Sequence, residues 1–127
     1  MLTIPSSVRI YLAAEPVDLR RGHDGLVAIV RGVWRLNPFD GHLFVFLGRR
    51  VDRVKILVWD RNGFVLYYKR LSRGYFRMPK IPANAVRIEL DATTLAMLLD
   101  GIDVKYVQRP TAWTPPSSNS APTIAVR

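Results

Sequence analysis

The chain has no cysteine. Disulfides, a thiolate nucleophile and any zinc site built on Cys are therefore excluded. Its two histidines, His23 and His42, stand at no metal-ligand spacing from each other, so no metal is expected. No apolar run approaches the roughly 20 residues that a spanning helix needs. Met1-Leu2-Thr3-Ile4-Pro5 shows neither the charged nor the apolar region of a secretion signal. A cytoplasmic protein without membrane segments is the expectation. The glycines form neither G-x-x-x-x-G-K nor G-x-G-x-x-G, which leaves no phosphate-cradling loop and no nucleotide cofactor. Carboxylates do not cluster as two-metal phosphoryl transfer requires. Asp18, Asp24, Asp40, Asp52 and Asp60 fall instead at turns and helix starts, where Asp serves the backbone. The sequence therefore points away from an enzyme.

Acids are scarcest where bases are densest. Ten of the nineteen Lys and Arg residues lie between Arg49 and Lys80, against Asp52 and Asp60 alone. That stretch carries +8 of the chain's net +9. Such a field draws polyanions, and nucleic acid gains most because each neutralised phosphate releases a counterion. Trp59, Phe64, Tyr67, Tyr68, Tyr75 and Phe76 are interleaved with the bases, and aromatic rings can stack on nucleobases. The candidate nucleic-acid-binding residues are Arg49, Arg50, Arg53, Lys55, Lys69, Arg70, Arg73, Arg77 and Lys80. Asp18 with Arg20 or Arg21 is expected to form an ion pair bracing a turn.

At 127 residues the chain is long enough for one domain with its own core. Val8 to Leu12 alternates as a first strand. Leu26, Ile29, Val30, Val33 and Trp34 make the stripe of an amphipathic helix, with Asp24 as N-cap and Asn37-Pro38 as its stop. Strand-like runs follow at 43–47, 54–59 and 64–69, the last two joined through Asn62-Gly63, a strong hairpin signal. An antiparallel meander is the natural topology. Val86 to Leu90 predicts a further strand, and Asp91 and Gly101 bracket a shorter helix. On strand alternation Lys55, Leu57 and Trp59 share one face, with Val54, Ile56 and Val58 on the other. The fold class is α+β: a small antiparallel sheet, a meander plus additional strands, with one longer and one shorter helix. Residues 1–109 form the domain. The Pro/Ser/Thr-rich residues 110–127 are expected to be a disordered tail.

Four motifs carry a family resemblance. Val17-Asp18-Leu19-Arg20-Arg21-Gly22-His23-Asp24-Gly25-Leu26, then Pro38-Phe39-Asp40-Gly41-His42-Leu43-Phe44-Val45-Phe46, occur in order. Lys55-Ile56-Leu57-Val58-Trp59-Asp60-Arg61-Asn62-Gly63 and Lys69-Arg70-Leu71 with Gly74 and Phe76 complete the set. Over about residues 7–102 the chain resembles the accessory (TnpB-type) protein of the insertion-sequence sixty-six family of bacterial transposons. This is distinct from the RNA-guided nuclease that shares the TnpB name. The resemblance implies a non-catalytic helper of a separate transposase, with DNA as a partner. The family supplies no catalytic residues to carry over. A protein–protein adaptor acting on the transposase, without direct DNA recognition, is the alternative reading.

Overall fold

Every residue of the run Leu43–Leu47 is buried, which is the mark of a strand covered on both faces. In the computed structural model, which describes residues 4–101, this run is β2, the middle strand of a five-stranded sheet. The other strands are β1 (Ile10–Ala13), β3 (Arg53–Asp60), β4 (Gly63–Arg70) and β5 (Arg87–Leu90), in the order β4-β3-β2-β1-β5. The meander β2-β3-β4 is antiparallel throughout, and β5 returns antiparallel to β1. The α+β architecture is thus as expected, with one addition: β1 pairs parallel with β2. A parallel pair cannot be closed by a tight turn and needs a crossover. Helix α1 (His23–Ala28) and its continuation Ile29–Val33 provide it.

Strand alternation sends two sets of side chains to opposite faces. Ala13, Phe44, Phe46 and Leu57 meet Leu26, Val30 and Trp34 of the crossover on one side. Ile10, Leu12, Val45, Val54 and Ile56 meet Phe76 and the helix α2 (Ala92–Leu99), through Leu95 and Leu98, on the other. The division of Leu57 from Val54 and Ile56 follows the alternation read from the sequence. Each fully buried aliphatic or aromatic side chain contributes about 1.5–3 kcal/mol, so both layers matter to stability.

The first helix departs from the sequence reading in three ways. It begins at His23 with Gly22 as N-cap, so Asp24 lies in the first turn and caps nothing. It widens into π winding at Ile29–Val33, where the Trp34 N–H reaches back to the Ile29 carbonyl. With wider turns, spacing by four lines up Leu26, Val30 and Trp34, and Val33 is left 57% exposed. It also ends before Asn37-Pro38. Arg35 turns left-handed (φ 58), and the Leu36 N–H closes onto the Val30 carbonyl.

The β3–β4 hairpin is displaced by one residue from the expected Asn-Gly turn. Gly63 pairs opposite Asp60, so Arg61 and Asn62 occupy the loop and Arg61 takes the positive φ of 55. The second helix follows its sequence reading. Asp91 Oδ1 accepts the Thr94 N–H at 2.7 Å, and Gly101 ends the helix at φ 77. Bonding from Thr94 holds the Asp91 carboxyl below its ordinary value. Its stabilising charge is thus fully present above about pH 4 and fades as pH falls through the lowered folded value. Asp91→Ala is expected to cost about 1 kcal/mol, read from thermal unfolding at neutral pH.

The proposed boundary at residue 109 and the tail 110–127 lie outside the described residues. Among the described residues no helix is long and apolar enough to cross a membrane.

Candidate nucleic-acid interface

The parallel pairing of β1 with β2 continues past the strand ends. The Val17 N–H donates to the Leu47 carbonyl at 2.9 Å, and Val17 bridges to Gly48. Two loops are thereby set side by side: residues 17–22, leaving β1, and residues 48–52, joining β2 to β3. The approach at Gly48 is close. A Cβ there would stand 3.1 Å from Leu19 Cδ1, closer than ordinary side-chain contacts.

The second loop is tightly built. Gly48 N–H donates to the Arg53 carbonyl and Val51 N–H to the Gly48 carbonyl, each at 2.9 Å. Val51 is held at φ 60, an uncommon conformation for a β-branched residue and one that costs on the order of 1–3 kcal/mol. The segment after β4 holds it there. Phe76 N–H donates to the Val51 carbonyl at 2.7 Å, Leu71 N–H to the Asp52 carbonyl at 2.8 Å, and the Phe76 ring is buried in the core.

The first loop is braced by charge. Asp18 accepts the Arg20 backbone N–H at 3.0 Å and grips the same guanidinium in a fork, with Nη2 at 2.6 Å from Oδ2. These bonds from Arg20 hold the Asp18 carboxyl well below the usual carboxylate range and raise the guanidinium's pKa. The expected ion pair is therefore the one with Arg20. Lys55, rising from β3, donates its ammonium to the carbonyls of Leu19 at 2.7 Å and Arg21 at 3.0 Å. Lys55→Met would remove both bonds, one exposed and one part-buried, at a cost of about 1 kcal/mol. The expected result is faster amide exchange over residues 18–22, with the sheet core unchanged.

Between the loops lies an open groove of about 430 Å³. Its lining includes four arginines, Arg20, Arg49, Arg50 and Arg53, against Asp18 and Asp52, with Val17, Leu19 and Gly48 as apolar floor and Tyr68 of β4 alongside. Register explains the grouping. Arg53 stands directly opposite Arg70, and Lys55 opposite Tyr68, on the α1 side of the sheet. Like charges placed opposite one another disfavour pairing, and the Asp52 carboxylate offsets this only through a long ion pair, its Oδ1 3.9 Å from Arg53 Nε.

The nine basic residues singled out in the sequence divide accordingly. Arg49, Arg50, Arg53, Lys55 and Arg70 gather at this end of the sheet. Lys69 points to the opposite face, where its ammonium donates to the Leu99 carbonyl at the end of α2. Arg73, Arg77 and Lys80 are exposed along the segment after β4 and do not line the groove. Both strand lysines thus have backbone carbonyl partners. Arg20 was absent from that set, because only the parallel pairing brings its loop to Gly48. His42 accepts the Arg9 backbone N–H at 3.0 Å through Nδ1, a structural role, and His23 is exposed at the start of α1. Among the described residues no cluster of His, Cys, Asp or Glu could hold a metal ion.

A second cluster lies towards the hairpin end of the sheet. Phe39, Trp59 and Phe64 pack mutually with centroids 5.0–5.4 Å apart, and the Arg31 guanidinium sits 5.5 Å over the Phe39 ring. Phe39 is 45% exposed.

The fold and groove define a small mixed-sheet protein with a basic surface framed by two loops. The IS66 Orf2-like protein family (TnpB_IS66) matches residues 8–109, and the chain belongs to that family. It is thereby a transposition-associated accessory protein of an insertion sequence, in a family that is not a known catalytic one. The chain is 38% identical over 115 residues to "Uncharacterized protein y4hO" of Sinorhizobium fredii (strain NBRC 101917 / NGR234), covering 91% of this chain and 96% of the relative. It is 36% identical over 102 residues to "Uncharacterized protein y4jC" of the same strain, covering 80% and 86%. No solved structure matches it.

Proposed function

We propose that the chain binds DNA without catalysing a reaction on it, and in doing so assists a separate transposase at element ends in the bacterial cytoplasm. The observation that carries this is the pairing of Arg53 opposite Arg70 beside Arg49 and Arg50. Among the described residues Arg49, Arg50 and Arg70 form no salt bridge with any acid. A cluster kept together against its own repulsion is relieved by an external polyanion. Guanidinium groups on loops and strand ends contact phosphates but carry no base-reading helix, so sequence preference is weak.

Fluorescence anisotropy with element-end duplex and a scrambled duplex across a salt series tests this. If roughly 4 to 6 phosphates are neutralised, log K against log salt falls with a slope of about −4 to −5 for both duplexes. Affinity indifferent to salt, or none at low salt, overturns the proposal. The second reading, an adaptor for the transposase, draws on the half-buried Phe39–Trp59–Phe64 cluster under Arg31, whose Phe39 is exposed, a residue mix enriched at protein interfaces. Transposase binding lost on Phe39→Ala, with DNA binding intact, would favour it.

A further inference from the structure

Tyr68 lies where a phosphate-binding rim alone would not need an aromatic ring. It lines the groove and is 49% exposed. The Lys55 ammonium, 5.4 Å from the ring centroid, covers one face and is fixed there by its two carbonyl partners. The ring is thus held in place by a cation beneath it while much of its surface stays open. Its flank is the guanidinium row Arg49, Arg50 and Arg53, and the floor is the apolar pair Val17 and Leu19. The groove volume of about 430 Å³ falls in the range of small-ligand clefts, roughly 300–1,000 Å³. That suits one nucleotide and not a double helix.

We propose that the groove takes one unpaired nucleotide of single-stranded DNA, its base stacked on Tyr68 and its flanking phosphates on Arg49, Arg50 and Arg53. The proposal rests on the DNA-binding reading above and specifies the form of DNA. A base inside a duplex has its faces covered by its neighbours, so only an unstacked base can lie on the Tyr68 ring. Duplex DNA meets the rim arginines alone. Stacking is indifferent to base identity because every base has a π-face, which agrees with weak sequence preference.

The test compares the full chain's affinity for a labelled thymidine homopolymer and for a duplex of equal length, at one salt concentration. The homopolymer is expected to bind about tenfold more tightly or better. Tyr68→Leu should weaken homopolymer binding about tenfold, with duplex binding and melting temperature unchanged, and Tyr68→Phe should retain it. Equal affinity for both forms with a silent Tyr68→Leu overturns the single-strand assignment while leaving duplex binding standing. Absence of binding to either form at low salt overturns both. Tighter binding to a uridine homopolymer than to thymidine overturns the assignment to DNA, and equally tight binding to polyglutamate overturns the assignment to nucleic acid.

Discussion

Reversing the charge of Arg49, Arg50, Arg70 and Arg73 together to Glu is expected to lower transposition frequency by about tenfold or more and to leave the fold intact. The four side chains are exposed, and none forms a salt bridge among the described residues. An exposed substitution of this kind usually shifts stability by no more than about 0.5 kcal/mol, and removing repulsion beside Arg53 offsets part of that. Association changes far more, since several phosphate or acidic contacts are lost at once and each 1.4 kcal/mol is about a factor of ten. Arg53 and Arg77 are better left in place. Arg53 sits beside Asp52 and Arg77 has interactions of its own, so changes there would mix binding with structure. The companion experiment replaces Asp24 or Asp60 by Asn. Both are exposed, one in the first turn of α1 and the other beside the hairpin turn. Transposition is expected to persist. Loss of transposition at unchanged melting temperature from either Asn variant, with the arginine reversals silent, would defeat the binding reading and revive an enzymatic one.

Phe76→Ala is expected to have the largest effect on stability. The ring is 2% exposed within the α2-side core, and truncations of buried Phe cost about 3–5 kcal/mol. For a domain of this size that is a fall of more than about 10 °C in melting temperature. The loss has a functional side as well. Phe76 positions the N–H that holds Val51 at its positive φ, so amide exchange at residues 48–52 should rise further than the global loss accounts for. Phe76→Leu, which keeps an apolar side chain and the backbone bond, should fall less and preserve DNA binding. A Phe76→Ala protein as stable as the parent would show that the segment after β4 does not anchor the loop.

Periodicity made the meander, β5 and α2 legible, because each is governed by neighbours within a few residues. Asp91 and Gly101 acted on local backbone groups and were read correctly for that reason. The length and phase of the first helix were not legible, since Arg35 in the left-handed region and the π winding answer to Phe44 and Phe46 packing against Trp34. The parallel placement of β1 was equally hidden. Its only sign was the unbroken apolar run of β2, which fits a buried strand in several topologies. The basic cluster was visible as composition, but composition has no geometry. Lys55 and Lys69 look like their arginine neighbours in sequence, and only their carbonyl partners set them apart. Conversely, Arg20 and Tyr68 join the groove through strand register, which the charge count does not contain.

The position of β1 between β2 and β5 has a consequence in time. β1 is made early, yet its second neighbour, β5, is more than seventy residues later in the chain. Contacts of such long sequence separation slow folding, because a large loop must close before they contribute. The lips of the groove come from either side of the crossover helix, and the clamp on Val51 comes from beyond β4. A nascent chain that stops at the end of β4 would carry twelve of the nineteen Lys and Arg residues but not the clamp that organises them. The binding face therefore needs the chain at least as far as Phe76, and fragments released earlier would be sticky polycations, not partial versions of the protein.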